Sequence, residues 1–350
     1  MLETLFESFN DAVQHIDSPL LASVTLLIGV VLLLVGGKAL VSGSVRLAKS
    51  LGVSTLIVGL TVVAFGTSAP ELAFNLIAAI NGNTDLSFGN VVGSNIANVG
   101  LVMGLSAITA PLVIKRRVFS KELPWLIAIS LGTLALAFFP PDVPAANGMQ
   151  RGFARLDGGI YLLVFGGFVM TWFRMARRDA RSSLLLASEN EINDAPAGSL
   201  LLAGLLVLSG LVMLAAGGKG AEIGAVKLAE MGNIRKEVIG LTIVAFATSL
   251  PEAIASVTAC RSGHTDLAVG NVIGSNIFNL VLVLGTTCVV KPVALPISHA
   301  WTDLLVMTGL TMTVLLLAWW RDLKIERRDG WFLLSAYLLY WGFLGFRTLT

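Results

Sequence analysis

The sequence predicts an all-α polytopic membrane protein, with ten transmembrane helices built as two inverted five-helix repeats. Three observations carry this. Of 350 residues, 55% are hydrophobic and only 13% charged, with mean hydropathy +0.82; a soluble domain carries about 25% charged residues. Ten stretches are apolar over the roughly 20 residues that a spanning helix needs. Two segments, 59–104 and 240–285, align without a gap at a constant shift of 181 residues, with more than half of the positions identical.

The spans are taken in order. The tail MLETLFESFNDAVQHIDS lacks the basic start of a signal peptide, so the first apolar run is expected to stay in the mature chain. Spans 1 to 5 fall at about 21–47, 54–80, 86–110, 122–140 and 157–177. Spans 6 to 10 fall at about 198–229, 235–260, 266–290, 299–320 and 330–348. Spans 2 and 3 match spans 7 and 8. The repeat reaches back into spans 1 and 6, where VGGKALVSGSVRLAKSLG faces AGGKGAEIGAVKLAEMGN at the same shift. An odd number of spans per half inserts the second half upside down. That is the inverted-repeat plan of secondary transporters, whose site lies at the repeat interface near the bilayer midplane. The chain therefore divides into a first repeat, 1–177, a polar cytoplasmic linker, 178–197, and a second repeat, 198–350.

Loop charge orients the bundle. Arg46 and Lys49 follow span 1, Lys115, Arg116, Arg117 and Lys121 follow span 3, and Arg174, Arg177, Arg178 and Arg181 follow span 5. Arg321, Lys324, Arg327 and Arg328 follow span 9. Basic loops stay in the cytoplasm, so both termini are expected outside it, in the plasma membrane (for a prokaryote, the inner membrane). Lys227, Arg235 and Lys236 run against this bias, and the 7–8 turn adds only Arg261 and His264 on the inner side. Trp125, Trp172, Trp301, Trp319, Trp320 and Trp331 are expected at the headgroups. A net charge of +2 offers no basic patch for nucleic acid. Cys260 and Cys288 read as small core residues rather than a disulfide or metal pair.

The chemistry sits in the repeat. Glu71 and Glu252 occupy equivalent places in apolar helices, and an intramembrane acid is a functional candidate by default. No basic residue recurs within spans 2, 3, 7 or 8 to pair with them. Thr67 lies one turn before Glu71, on the same face. Pro70 has no N–H to give the Gly66 carbonyl, and a bare carbonyl in lipid needs protein, water or a cation as partner. Thr248, Ser249, Pro251 and Glu252 repeat this, as Ser68 does within the first copy. Ser94 and Asn98, again four apart, project a hydroxyl and an amide oxygen; Ser275 and Asn279 repeat them. Gly89, Gly93, Gly270 and Gly274 read as small-residue packing faces. Asp85 and Asp266 read as helix N-caps, Lys38 and Lys219 as snorkelling near span ends, and Glu222 as a partner of Lys219 at helical spacing. The candidate ligands are all oxygens, which suit Ca²⁺, Mg²⁺ or Na⁺ rather than zinc or copper. Two carboxylates match one Ca²⁺, and a largely protein-built cage favours Ca²⁺ over the strongly hydrated Mg²⁺. No nucleophile–base pair or His set suggests an enzyme.

At GTSAPE, GSNIAN, ATSLPE and GSNIFN the chain resembles the calcium/cation antiporter superfamily, above all prokaryotic sodium/calcium exchangers and their potassium-dependent-type relatives. The resemblance covers nearly the whole chain. It implies exchange of Ca²⁺ against Na⁺ by alternating access, with no cofactor. It implies Ca²⁺ binding by Glu71, Glu252, Thr67 and Thr248, and Na⁺ binding by Ser68, Ser94, Ser249 and Ser275 with backbone oxygens of Ala64 and Ala245. Asn98 and Asn279 take the remaining central positions; exchangers of this type often carry Asp where Asn279 stands, a difference that bears on ion stoichiometry and on any part for K⁺. Two other readings stay open: Ca²⁺/H⁺ antiport, with the same glutamates carrying protons, and a passive cation channel. Hydroxyl ligands suited to Na⁺ favour the first reading over proton exchange, and inverted halves favour it over a pore.

Overall fold

The computed structural model describes residues 18–145, 148–187, 199–232, 245–295 and 300–349. Ten helical spans cross it in alternating directions. α1 is Pro19–Leu51, begun by Ser18, whose Oγ accepts the Leu21 N–H at 3.2 Å, and ended by Gly52 in the left-handed conformation at φ 64°. α2 runs over Thr55–Ile80 and is broken in its middle. α3 runs from Thr84–Ala97 through a π-helical turn, Asn98–Met103, into Gly104–Thr109. α4 covers Val118–Phe138 and α5 Arg155–Ala187.

In the second half, α6 is Ser199–Met231, and the described part of α7 is Ala245–Thr248 followed by Leu250–Arg261. α8 covers Thr265–Val290, α9 Ala300–Trp320 and α10 Arg327–Leu349. Among the described residues, eight of these helices are long and apolar enough to cross a membrane. Their outer faces carry bare side chains such as Leu27, Leu163 and Leu201, where lipid supplies the contact that water would refuse.

The connections show which ends lie together. β1, Leu112–Val113, pairs with β5, Lys324–Ile325, and so joins the 3–4 and 9–10 loops. The Lys115 ammonium reaches the Asp266 carboxylate at 2.9 Å, and the Thr55 hydroxyl donates to the same oxygen. These contacts bring the 1–2 and 7–8 connections to that same end. At the opposite end β2, Asp142–Ala145, pairs with β3, Gly148–Phe153, and β3 with β4, Val293–Ala294. The Ala294 N–H donates to Thr84 Oγ1 there. Among the described residues, the 1–2, 3–4, 7–8 and 9–10 connections thus separate from the 2–3, 4–5 and 8–9 connections as alternating spans require, and the basic 3–4 and 9–10 loops share an end.

The repeat extends to packing. α1 and α6 run antiparallel along a seam of small residues spaced by seven: Ala22, Gly29, Gly36 and Gly43 on one side, Ala203, Gly210, Gly217 and Gly224 on the other. A Cβ added at Gly36 would stand 3.0 Å from the Gly210 carbonyl oxygen; at Gly43, 3.0 Å from that of Ala203; at Gly224, 2.7 Å from that of Ala22. The two backbones touch, which is the packing that small residues permit without help from a hydrophobic effect. α2 and α8 meet similarly: Gly270 packs on Leu56 and Gly274 on Leu60 and Ala64. The stretch that would face Gly89 and Gly93 by the repeat, 237–244, lies outside the described residues, as do Arg235, Lys236 and the N-terminal tail.

Several expectations change. α5 continues to Ala187, so the first ten residues of the stretch read as a linker are helical, while 188–198 lies outside the described residues. Asn83 and His264, not Asp85 and Asp266, occupy the N-cap positions. Each aspartate falls two residues later, and Asp266 is engaged by Thr55 and Lys115 instead. Trp172 is buried rather than at a headgroup, packed between Phe168 and Phe278 with ring centroids 5.5 and 5.6 Å away. Lys38 lies well inside α1 and Lys219 well inside α6, rather than near their ends. Lys219 pairs with Glu222 at 2.8 Å, as their spacing predicts. Cys260 and Cys288 are buried and unbridged.

Candidate functional site

The middle of the bundle is built from four interrupted helices. In α2 the helix stops at Ser68, whose backbone (φ −88°, ψ 0°) leaves the helical path, and restarts with Pro70 in its first turn. In α7 Ser249 (φ −92°, ψ 1°) and Pro251 do the same. Proline tolerates the first turn of a helix, where its missing N–H has no partner to lose. The repeated Ser-x-Pro-Glu thus makes a break and puts a glutamate just after it. In α3 and α8 the interruptions are π-helical turns, Asn98–Met103 and Phe278–Leu284, which hold Asn98 and Asn279. Such turns carry one extra residue and re-aim side chains, often at functional sites.

These breaks gather the predicted residues. Glu71 is 4% exposed and Glu252 1%, each just after the break in its helix. The Thr67 hydroxyl donates to Asn271 Oδ1 at 3.3 Å, so side chains of the two halves meet. Ser68, Ser94, Asn98, Ser249, Ser275 and Asn279 are all buried. None of the ion pairs among the described residues involves either glutamate. Thr248 is half-buried and engaged in an interaction of its own. The Ala64 carbonyl accepts the Ser68 N–H at 3.0 Å and the Thr67 hydroxyl at 3.4 Å, so it is already engaged within the protein. Ala245 begins a helical turn, and its side chain lies outside the described residues.

What distinguishes the cluster is its unused oxygens. Glu71 Oε2, Glu252 Oε2, Ser68 Oγ, Ser94 Oγ, Ser275 Oγ, Asn98 Oδ1 and Asn279 Oδ1 are buried and have no hydrogen-bond partner in the protein. Buried polar atoms are normally paired, and each one left unmade costs about 1–3 kcal/mol, more if charged. Seven such atoms, two of them carboxylate oxygens, fall on the four interrupted helices, and they are the kind of oxygen that could hold a cation. Every such atom is a hard oxygen, and no cluster of three or more His, Cys, Asp or Glu appears among the described residues, so the donor set suits Ca²⁺ or Na⁺ rather than a soft metal.

Sequence reasoning missed a ring of amides around the cage. Asn271 donates to Ser256 Oγ at 2.9 Å and accepts from Thr67, tying α2 to α7 and α8. Asn75 donates to the Glu71 carbonyl at 2.7 Å and leaves its Oδ1 unpartnered. Asn95 and Asn276 are buried with free Oδ1 atoms, and Asn276 reaches the Asn95 carbonyl at 3.5 Å. The signal was present: Asn90 and Asn271, like Asn95 and Asn276, recur at the shift of 181 inside apolar helices.

The sequence profile of the family described as sodium/calcium exchanger protein matches residues 21–174 and 187–346. The CaxA protein of Alkalimonas amylolytica is 35% identical over 326 residues, covering 92% of this chain and 98% of that protein. The sodium/calcium exchanger MaX1 of Methanosarcina acetivorans is 31% identical over 338 residues, covering 90% and 96%. Among solved structures, the sodium-calcium exchanger NCX_Mj superposes with TM-score 0.76 at 28% identity, over 93% of this chain and 100% of that one.

Proposed function

The chain belongs to the sodium/calcium exchanger protein family, and from that premise we propose that it exchanges Ca²⁺ for Na⁺ by alternating access at the central oxygen cage. The observation that carries this is the burial of Glu71 and Glu252 at equivalent helix breaks, with unpartnered carboxylate, serine and asparagine oxygens on the same four interrupted helices. In this reading Ca²⁺ takes both carboxylates with Thr67 and Thr248. Na⁺ takes Ser68, Ser94, Ser249 and Ser275 with the Ala64 and Ala245 carbonyls, and Asn98 and Asn279 complete the centre. Coupling is mutual exclusion, since both loads need the same two glutamates. The packing supports two-sided access. The cage is chemically symmetric, yet the long helices lean on α7: Gly37 of α1 packs against Ile254 and Thr258, and Gly218 of α6 against Pro251. A symmetric site held by asymmetric packing is what one of two states related by the pseudo-two-fold axis looks like.

The test is ⁴⁵Ca²⁺ uptake into vesicles under imposed Na⁺, K⁺ and pH gradients, applied separately. An outward Na⁺ gradient is expected to drive uptake. Flux driven by a pH jump without Na⁺ makes the protein a Ca²⁺/H⁺ antiporter, and flux indifferent to every opposing gradient makes it a channel.

Two further outcomes follow from the reading. Asn271→Ala removes the link between Thr67 and Ser256 without touching a carboxylate, and loss of such supporting contacts typically costs 10–100-fold in ion affinity. The Ca²⁺ concentration for half-maximal uptake should rise by about that factor while the protein stays folded; an unchanged value would remove Asn271 from the cage's support. The second concerns orientation. We place the end bearing the basic loops in the cytoplasm and both termini outside, in the plasma membrane, with a boundary between repeats near 178–197. Since both native cysteines are buried, a cysteine introduced for Arg116 should react with an impermeant maleimide only after cells are opened. One introduced for Asp142 should react in intact cells. The reverse pattern would invert the topology.

A further inference from the structure

We propose that the groove between α4 and α5, at the end bearing the basic loops, binds one membrane phospholipid with a primary-amine headgroup, whose ammonium pairs with the buried Glu122 carboxylate. The groove shares no residue with the predicted ion ligands and is independent of the exchange reading.

α4 opens with a π-helical turn, Val118–Glu122, a device that re-aims side chains. Glu122, only 2% exposed, lines a cavity of about 260 Å³ between α4 and α5. Its Oε1 accepts from Arg117 Nε at 3.3 Å, while Oε2 is buried with no partner. Most of the remaining wall is apolar. Trp125 stands edge-on to Phe168 with ring centroids 5.9 Å apart, and Phe168 packs on Trp172 at 5.5 Å. Lys121 lines the same cavity, is exposed, and joins no ion pair among the described residues. The second half shows what the first lacks. At the shift of 181, Asp303 of α9 stands where Glu122 stands in α4. Asp303 is buried too, and the Tyr340 hydroxyl of α10 donates to it at 2.9 Å. Opposite Glu122, α5 presents Val164, Gly167 and Phe168 instead, and the Thr171 hydroxyl is spent on the Gly167 carbonyl at 2.8 Å. The repeat thus keeps the acid in both halves but answers it from within the protein only in the second.

The carboxylate fixes the chemistry of the occupant. A buried acceptor without a partner is costly, and an acid facing lipid calls for a cation. Trp125, Gly167 and Thr171 are exposed on the outer face of the bundle, so the occupant comes from the bilayer. An aminophospholipid carries both signs that the wall can meet. Its ammonium donates to Glu122 Oε2, its phosphodiester, one short linker away, meets the neighbouring Lys121, and its acyl chain lies on Trp125, Val164 and Phe168. A choline headgroup has the same charge but no N–H to donate. A purely anionic headgroup, the usual occupant of basic pockets between membrane helices, would set its phosphate beside the carboxylate with no ammonium between them.

The experiment uses the full-length protein in mild detergent, titrated with dioleoyl phosphatidylethanolamine, phosphatidylcholine or phosphatidylglycerol and followed by native mass spectrometry. The expected result is one phosphatidylethanolamine retained about tenfold more tightly than either other lipid, the factor that a hydrogen bond to a charged group is worth. Glu122→Gln should erase that preference. Gly167→Leu fills the cavity from a position where an added Cβ meets nothing within 4 Å, so it should stay monodisperse and lose the tight adduct. Equal retention of the three lipids by the wild type, or a preference for phosphatidylglycerol, overturns the assignment. So does a preference that survives Glu122→Gln, or an adduct that Gly167→Leu holds as tightly as the wild type. None of these readouts passes through ion transport, so the exchange reading stands or falls separately.

Discussion

Glu71→Gln is expected to reduce Na⁺-driven ⁴⁵Ca²⁺ uptake by about 100-fold or more, and Glu252→Gln to do the same. Taking away one carboxylate leaves a divalent ion in the bilayer centre with half of its counter-charge. Breaking a buried charge pairing on one side costs about 3–5 kcal/mol, and each 1.4 kcal/mol is about tenfold. Stability should move the other way. In the ion-free protein Glu71 and Glu252 are buried, each with an unpartnered carboxylate oxygen, so either glutamine should hold or raise the melting temperature in detergent. What should vanish is the rise in melting temperature on adding Ca²⁺, which for the wild type approaches about 2.7 kcal/mol of stabilisation at 100 times Kd. A variant that folds, ignores Ca²⁺ and does not transport locates the defect in the cage. Uptake within tenfold of wild type would remove the glutamate from it.

Gly36→Leu is expected to prevent stable assembly. Its Cβ alone would stand 2.7 Å from Met213 Cβ and 3.0 Å from the Gly210 carbonyl oxygen, and the second of these is backbone that cannot rotate away. Overpacking a tight core costs about 1–3 kcal/mol, and a whole isobutyl group against an opposing helix should lie at the top of that range. Size-exclusion profiles in mild detergent should show aggregated rather than monodisperse protein. Gly309→Leu on α9 is the control, since a Cβ there meets nothing within 4 Å among the described residues. Equal behaviour of the two variants would show that the α1–α6 seam tolerates separation.

Much of this architecture was legible because lipid imposes simple rules. Apolar runs of fixed length gave the spans, and the odd number per half gave the inversion. The glutamates stood out because a carboxylate within an apolar helix has no bland reading once basic partners are missing. The π-helical turns at Asn98 and Phe278 were not legible, since one extra residue per turn leaves apolar composition unchanged. The amides at 75, 95, 271 and 276 escaped for another reason. An asparagine in a membrane helix reads as packing until its oxygen is seen without a partner. Asp85 and Asp266 misled because cap positions lie only two residues away, and Trp172 because an aromatic near a helix end can equally fill a core.

The seam between α1 and α6 bears on how such a chain could arise. Its contacts join Gly29 with Gly217 and Gly36 with Gly210, and they join Gly43 with Ala203 and Ala22 with Gly224. Gly217 is the repeat equivalent of Gly36, and Gly210 that of Gly29. Where one residue of the first copy meets the counterpart of a second, that second residue meets the counterpart of the first, the pairing rule of an isologous two-fold dimer. A five-helix ancestor inserted in both orientations would already own this interface. Fusing two genes would add only the linker, and it would let the two cavity walls diverge afterwards one residue at a time.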